Sequence, residues 1–441
     1  MIKSVLVANR GEIALRVMRT CREMGIRTVA VFSEADRESL HVSMADAAVC
    51  VGPAPAKDSY LNMGNVVSAA VLSGCDAVHP GFGFLSENAE FAKAVRAAGL
   101  RFIGPKPEVI ELLGDKINAK KAAVDAGLPV IPGSSGSVED AAAARLHADA
   151  MGYPVIIKAA AGGGGKGMRI VRSAEELESQ LSMAKVEAEK AFSDGTLYVE
   201  KYLEEPRHVE VQLIGDSKGN VVALGERDCT VQYKHQKLLE ESPSGVVSPE
   251  TRARMMDDGR RLFKKLGYEG AGTIEFLYKD GSYYFMEVNA RIQVEHPVSE
   301  LVSGVDIVKQ QLLVASGEAL PFSQEDVRLS GYALECRVNA LSPGRLSLFV
   351  PPGGFGVRCD TYLYTGAYVP PFYDSMVAKI IVHADTREEG IARMLRALGE
   401  TRIEGISTNI ERQKKLLSHR GFRAGAYGTG FYEKVEKELA L

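Results

Sequence analysis

The sequence predicts an α/β and α+β protein: a doubly wound α/β unit first, then a small unit built around a glycine loop, then a mixed region. Three observations carry this. The first third alternates short apolar strands with helical stretches. A break rich in Gly, Pro and Ser follows it, Gly127-Leu-Pro-Val-Ile-Pro-Gly-Ser-Ser-Gly136. At 441 residues the chain is also too long for one typical core, so two or three domains are expected.

Ser4–Ala8 reads as a strand, Glu12–Met24 as a helix and Thr28–Phe32 as a second strand. Short strands follow near Ala47–Val51, Ala77–His79 and Arg101–Ile103. The first turn, Ala8-Asn-Arg-Gly-Glu12, has one glycine and not the G-x-G-x-x-G fingerprint. A dinucleotide site is therefore excluded, despite Glu34 after the second strand. Beyond the break come strand Val155–Ala159, the glycine loop, strand Met168–Val171, a helix from Ala174 to about Phe192 and strand Leu197–Glu200. Strands Val209–Ile214, Val221–Gly225, Thr273–Tyr278 and Tyr283–Val288 follow, with helices near Arg252–Leu266 and Ile307–Ser316. A last segment from about Gly331 ends in helix Glu389–Leu398 and an amphipathic tail.

Apolar content of 46% and charged content of 25% suit a soluble globular protein. Net charge −4 and a pI near 6.1 argue against nucleic acid as a partner. No apolar run approaches the ~18 residues of a membrane span. The N-terminus enters a strand at once and lacks the pattern of a signal peptide. The six cysteines form no C-x-x-C pair, which fits reduced thiols of a cytoplasmic enzyme.

The chemistry concentrates in Glu287-Val-Asn-Ala-Arg-Ile-Gln-Val-Glu295. Its odd positions are all polar and its even positions all apolar. Strict alternation puts the two sets on opposite faces of an extended segment. The polar row runs acid, amide, base, amide, acid. Fully extended at ~3.3 Å per residue, its terminal acids would lie roughly 26 Å apart, so its ends do different jobs or the segment bends after Asn289. Upstream, Thr273–Tyr278 and Tyr283–Val288 form a hairpin across Lys-Asp-Gly-Ser. An odd-numbered loop centred on Gly281 places Glu275 opposite Glu287, where a hard cation such as Mg²⁺ or Mn²⁺ would offset their repulsion. An even-numbered loop puts the two acids on opposite faces. The glycine loop, Lys158-Ala-Ala-Ala-Gly-Gly-Gly-Gly-Lys-Gly-Met168, can present consecutive N–H groups to phosphate. It is not a Walker A loop, because Gly167 follows Lys166 and a strand comes next. A mobile surface hairpin is the plainer reading of it.

These stretches have company: Ala8-Asn-Arg-Gly-Glu-Ile-Ala14, His79-Pro-Gly-Phe-Gly-Phe-Leu-Ser-Glu-Asn88, Gly104-Pro-Lys, Gly114-Asp-Lys116, Glu200-Lys-Tyr-Leu203, Arg207-His-Val-Glu210, Glu226-Arg-Asp-Cys-Thr-Val-Gln232, His235-Gln-Lys237, Glu335-Cys-Arg337 and Pro371-Phe-Tyr-Asp-Ser-Met376. In this order the chain resembles biotin carboxylase, an ATP-grasp enzyme, over essentially its whole length. The resemblance implies an N-terminal Rossmann-like domain over 1–114, an ATP-grasp region over 115–330 with a mobile lid at about 131–203, and a C-terminal domain over 331–441.

It also implies an activity: ATP phosphorylates bicarbonate to carboxyphosphate, and biotin is then carboxylated at N1′. Glu275, Glu287 and Asn289 would hold Mg²⁺ (or Mn²⁺). Lys116, Lys158 and the loop residues Gly163, Gly164, Gly165, Lys166 and Gly167 would meet the phosphates. Glu200, Lys201 and Leu203 would meet adenine, and His208, Gln232, His235 and Leu277 would line the nucleotide pocket. Arg291, Lys237, Gln293 and the Val294 N–H would clamp bicarbonate. Glu295 would be the base, and Arg337 would stabilise the enolate-like biotin oxygen beside Phe82 and Gly83. Taken singly, Lys116 reads as a solvated lysine, His208 and His235 as structural histidines, and Arg337 as an ion-pair partner of Glu335.

Two departures from the family pattern stand out. Phe82 replaces the usual Tyr, and the segment after Asn339-Ala340 is short, reaching Leu341-Ser-Pro-Gly344 almost at once. No Met-Lys-Met biotin-attachment tripeptide occurs, so biotin is expected in trans on a biotin carboxyl carrier protein, with separate carboxyltransferase subunits and a homodimeric enzyme. Acetyl-CoA, propionyl-CoA and pyruvate all remain open as final acceptors. The competing readings are another ATP-grasp carboxylate–amine ligase and a nucleotide-binding regulatory subunit without turnover.

Overall fold

The computed structural model describes residues 1–134, 136–161 and 167–439. Strands β1 (Ser4–Val7), β2 (Arg27–Ser33), β3 (Ala47–Gly52), β4 (Ala77–His79) and β5 (Arg101–Phe102) form one parallel sheet in the order β3-β2-β1-β4-β5. The doubly wound expectation holds. Ser-Val-Leu-Val of β1 is buried throughout, as a parallel strand covered on both faces requires. The helix predicted over 12–24 spans Gly11–Glu23.

A second, three-stranded antiparallel sheet joins β6 (Val155–Ala159), β7 (Arg169–Val171) and β8 (Leu197–Lys201) in the order β7-β6-β8. Helices Ala141–Met151 and Leu177–Phe192 pack on it. The first of these went unpredicted, although Ala141-Ala-Ala-Ala-Arg145 is a strong helix former and the Asp140 side chain caps it at the Ala143 N–H. This unit has a core of its own, including Ala144, Val155, Ile157, Ala184 and Val199. The sequence therefore dictates a small separate body, here called the lid.

The third sheet positions the site. Strands β9 (Arg207–Gly215), β10 (Val221–Tyr233), β11 (Gln236–Ser242), β12 (Gly270–Lys279), β13 (Ser282–Asn289) and β14 (Tyr332–Asn339) join Met376–Ala384 and Val357–Thr361 in one antiparallel sheet of eight strands. Its order is β13-β12-β9-β10-β11-β14, then Met376–Ala384, then Val357–Thr361. The sheet runs unbroken past position 330, since β11 pairs with β14 through Glu240 opposite Glu335. The segment after position 330 thus shares a sheet with β9 to β13. β11 was not anticipated in the sequence, and β10 is far longer than the expected Val221–Gly225.

The β12–β13 hairpin departs from the expected geometry in an instructive way. Lys279 pairs with Ser282, so the loop is Asp280-Gly281, with φ of +49° and +82°. Such an Asp-Gly turn is even-numbered and would send Glu275 and Glu287 to opposite faces. A bulge corrects this: Phe276 pairs with Phe285 but Glu275 pairs with Glu287, leaving Met286 as the extra residue. The even-numbered loop and the facing acids, alternatives in the sequence, are therefore both present.

The polar row also divides. β13 ends at Asn289, residues 290–295 turn, and helix His296–Ser303 begins directly after Glu295. The segment bends after Asn289, as its length demanded. Past Asn339, Ala340 donates to the Ser375 carbonyl and Leu341 to the Ser407 carbonyl, each at 2.7 Å. The short connection therefore leaves Arg337 in regular strand, opposite Lys379. Among the described residues, the six cysteines are free thiols, and no helix is long and apolar enough to cross a membrane.

Candidate active site

A cavity of about 1180 Å³ opens between the lid sheet, the eight-stranded sheet and the N-terminal unit. Its two ends differ in chemistry. Toward the lid, Ile131, Ile156, Met168, Leu203, Leu277 and Met286 make an apolar slot suited to a flat ring. Toward the C-terminal strands, the lining is Lys237, Glu275, Glu287, Asn289, Arg291, Gln293, Val294 and Arg337, with Phe82 and Gly83 beside them.

Lys116, Lys158, Lys201, His208, Gln232 and His235 also border the cavity. Glu200 does not. Its buried carboxylate accepts from Lys120 at 2.7 Å and from Lys158 at 2.6 Å. Burial pushes this carboxyl's pKa up, but the two ammonium groups outweigh it and the net shift is downward. Glu200 thus anchors lysines that carry positive charge to the lid end. Lys201 instead ties two lid carbonyls, Gly152 and Tyr153, at 2.9 and 3.1 Å. Gly167 lies off the cavity at φ +69°, where an added Cβ would come within 2.8 Å of the Ala159 methyl. Gly163, Gly164, Gly165 and Lys166 lie outside the described residues. At the β10–β11 turn, Lys234 and His235 both take positive φ, +49° and +62°. Two adjacent non-glycine residues in that region are strained, and both border the cavity.

The centre of the site is a row of acids. Glu210, Glu275 and Glu287 are cross-strand partners on β9, β12 and β13. Lys237 from β11 reaches over them. Its Nζ lies 2.6 Å from Glu210, 2.9 Å from Glu275 and 2.7 Å from Glu295. Arg227, fully buried, holds the other oxygen of Glu210 at 2.6 Å. His208 Nε2 lies 2.8 Å from Glu275, and the Gln232 amide contacts His208 Nδ1 at 2.7 Å. Burial alone would raise the pKa of Glu275, yet Lys237 and His208 hold it well below the usual carboxylate range.

Glu295 is fully buried behind Lys237 and Arg337 and does not itself line the cavity. Arg337 donates to it at 2.9 Å through Nη2 and to Glu240 through Nε at 2.5 Å. Burial raises the Glu295 pKa, Lys237 and Arg337 lower it, Glu210 opposes them, and the net shift is downward. Arg291 is spread over three side chains, Glu87 at 2.8 Å, Gln293 Oε1 at 2.8 Å and Asn289 Oδ1 at 2.9 Å, and also donates to the Ile292 carbonyl at 3.3 Å. Glu87 also accepts from the Ala290 N–H at 3.0 Å, so the N-terminal unit pins the start of the turn.

The acids suit a divalent cation. Glu275 and Glu287 face each other as like charges and Asn289 adds an amide oxygen, a set of hard donors. Among the described residues, Glu287 keeps only a loose contact with Lys116, 3.5 Å away. Glu275 and Asn289 are more engaged, since Glu275 Oε1 takes the Asn289 amide N–H at 2.9 Å. Arg337 pairs with Glu240 and Glu295, while among the described residues the Glu335 carboxylate has no hydrogen-bond partner. The plain reading of Arg337 as a partner of Glu335 is thus wrong.

Sequence reasoning missed Lys120, Glu210, Arg227 and Glu240. A signal for Glu210 existed: His208, Glu210 and Gln212 alternate with Val209, Val211 and Leu213, the same pattern that flagged Glu287–Glu295.

Comparison with known proteins assigns the chain. Residues 1–110 match the biotin carboxylase N-terminal domain, 115–323 the carbamoyl-phosphate synthase L chain ATP-binding domain, and 335–434 the biotin carboxylase C-terminal domain. The chain is 52% identical to biotin carboxylase 1 of Bacillus subtilis over 99% of both chains. It belongs to the biotin carboxylase family. Among solved structures of that family, the biotin carboxylase–β-γ-ATP complex from Campylobacter jejuni matches with a TM-score of 0.96 at 47% identity, covering 98% of this chain and 99% of that one. The biotin carboxylase domain dimer of Hydrogenobacter thermophilus 2-oxoglutarate carboxylase, solved with MgADP, ADP and bicarbonate, matches with a TM-score of 0.94 at 46% identity over 98% of both. The cavity of this chain brings an apolar slot, facing carboxylates and a set of cationic side chains together.

Proposed function

We propose that the chain carboxylates biotin: ATP and bicarbonate give carboxyphosphate and ADP, and the carboxyl group then passes to N1′ of biotin with release of phosphate. The observation that carries this is the junction at Lys237. One half-buried ammonium touches both Glu275, at the cation end, and Glu295, at the anion end. A γ-phosphate over the first therefore lies beside an anion held over the second.

Adenine would occupy the slot between Leu203 and Leu277, with Lys116 and Lys158 toward the phosphates. Glu275, Glu287 and Asn289 would hold Mg²⁺, which screens the triphosphate charge when bound. Bicarbonate would sit against Arg291, Lys237, Gln293 and the Val294 N–H. It competes with Glu295 for Lys237, and as that cation turns to the substrate the Glu295 carboxylate binds a proton more tightly. Glu295 then takes the bicarbonate proton as a bicarbonate oxygen attacks the γ-phosphorus and ADP leaves. Arg337, steadied by Glu240, would receive the oxygen of the biotin ureido group as negative charge develops there. Phe82 and Gly83 would flank the biotin.

Biotin would arrive on a carrier protein, and the carboxyltransferase would be a separate subunit of the same cytoplasmic assembly. A homodimer is supported by the dimeric Hydrogenobacter relative. That relative belongs to a 2-oxoglutarate carboxylase. The test is ATP hydrolysis by the purified chain with MgATP, bicarbonate and free biotin. Hydrolysis that needs bicarbonate and rises with biotin is expected. Hydrolysis indifferent to both would overturn the proposal.

A further inference from the structure

We propose that His296 and Lys379 are positioning residues of the anion pocket. They pin the carbonyl oxygens of Gln293 and Val294, which aims the Val294 N–H into the cavity and fixes the backbone that carries Glu295. The proposal rests on the bicarbonate reading above.

The turn over 290–295 has no sheet or helix ladder to fix its peptide planes. Side chains outside the cavity do this instead. The Gln293 carbonyl accepts from His296 Nδ1 at 2.7 Å and from the His296 backbone N–H at 3.4 Å. The Val294 carbonyl accepts from Lys379 Nζ at 2.7 Å. In a trans peptide the C=O and the following N–H point in opposite directions. Holding the Gln293 oxygen therefore sets the direction of the Val294 N–H, and holding the Val294 oxygen sets the peptide that leads into Glu295. Among the described residues the Val294 N–H has no protein partner, and Val294 borders the cavity. A half-buried N–H left without a partner is rare, and a ligand oxygen would satisfy it.

Both anchors are fully buried. Lys379 comes from the C-terminal strand Met376–Ala384, directly opposite Arg337, and also lies 3.2 Å from Glu12 in the first helix. One ammonium thus joins the N-terminal unit, the catalytic turn and the C-terminal strands. His296 is held neutral: burial, then Lys379, Arg16 and Arg358, push its pKa well below the usual histidine value. A neutral ring facing a carbonyl must carry its proton on Nδ1, and its Nε2 has no hydrogen-bond partner. The donor is therefore fixed as a single tautomer.

The test is steady-state kinetics with bicarbonate and MgATP varied separately. Replacing His296→Leu removes the donor, and the KM for bicarbonate is expected to rise about tenfold or more, with the KM for MgATP unchanged. His296→Asn places an amide nitrogen where Nδ1 stood and is expected to restore the bicarbonate KM. The double variant Glu12→Gln with Lys379→Met removes the second anchor while keeping the buried charges balanced, and its kcat is expected to fall about tenfold at unchanged MgATP KM. A wild-type bicarbonate KM in folded His296→Leu, or an equal rise in both KM values, would overturn the proposal. If His296→Leu does not fold, the double variant decides, and wild-type kcat there would overturn it. A native enzyme that ignores bicarbonate would refute the functional reading instead, before any variant is made.

Discussion

Replacing Lys237→Met removes one positive charge from the point where three buried carboxylates meet. Its Nζ lies 2.6 Å from Glu210, 2.9 Å from Glu275 and 2.7 Å from Glu295. Those residues are 0%, 4% and 0% exposed, so water can reach the lost partner's place only from the cavity that Lys237 and Glu275 line. Burial drives each carboxyl's pKa up, and Lys237 is the largest charge pulling it back. Methionine keeps the aliphatic stem and deletes the charge. Removing one member of a buried pair costs about 3–5 kcal/mol, and a carboxyl can soften that loss by taking up a proton. The sign with pH follows. In the native chain these depressed carboxyls contribute stability that is present above their unfolded pKa of 4.5 and lost only as pH falls through their lower folded values. In the variant, a carboxyl raised above 4.5 makes stability fall as pH rises toward its new value. The deficit should therefore be about 3–5 kcal/mol near pH 8, and smaller near pH 5.5 by ~1.4 kcal/mol for each unit by which the new pKa exceeds 5.5. Urea unfolding followed by circular dichroism at both pH values measures it. A deficit under about 1 kcal/mol near pH 8, or one of equal size at both, would refute the reasoning.

Three further variants probe the site. Burial pushes the Glu240 carboxyl up to about 7 despite Arg337, so native stability should fall as pH rises from 4.5 to about 7. Glu240→Gln does not titrate, so its melting temperature should gain on the native chain across that window, and a constant offset would count against the assignment. Glu295→Gln should bind MgADP normally yet lose about 10²–10⁴-fold of bicarbonate-dependent ATP hydrolysis; unchanged turnover would remove Glu295 as the base. Phe82→Tyr restores a hydroxyl at the cavity wall and should lower the KM for free biotin about fivefold without changing that for bicarbonate. A biotin KM that stays constant would show that the hydroxyl has no role.

Much of this architecture was legible because its signals are local. Continuous apolar runs gave the parallel strands, and alternation marked Glu287, Asn289, Arg291, Gln293 and Glu295 as one functional row. What was hidden depends on events distant in sequence. The facing of Glu275 and Glu287 needs a bulge at Met286 to undo the register of the Asp280-Gly281 turn. No residue type announces a bulge, so an even-numbered loop and facing acids read as mutually exclusive in the sequence. Glu240 and Arg227 act through partners on other strands, and a lone Glu in an apolar run looks the same whether it meets an arginine or not. Lys120 and Lys158 converge on Glu200 from about 80 and 42 residues away in the chain. The helix over Ala141–Met151 is different: its Asp140 cap and alanine run were visible and went unread.

The central claim is that the anion held beside Lys237 attacks the γ-phosphate. Oxygen transfer tests it most directly. The enzyme would turn over MgATP with biotin and ¹⁸O-labelled bicarbonate, and the phosphate released would be analysed by mass spectrometry. Attack by bicarbonate leaves one labelled oxygen in each phosphate formed. Phosphate without label would mean that water, not bicarbonate, reaches the phosphorus, and would contradict the account.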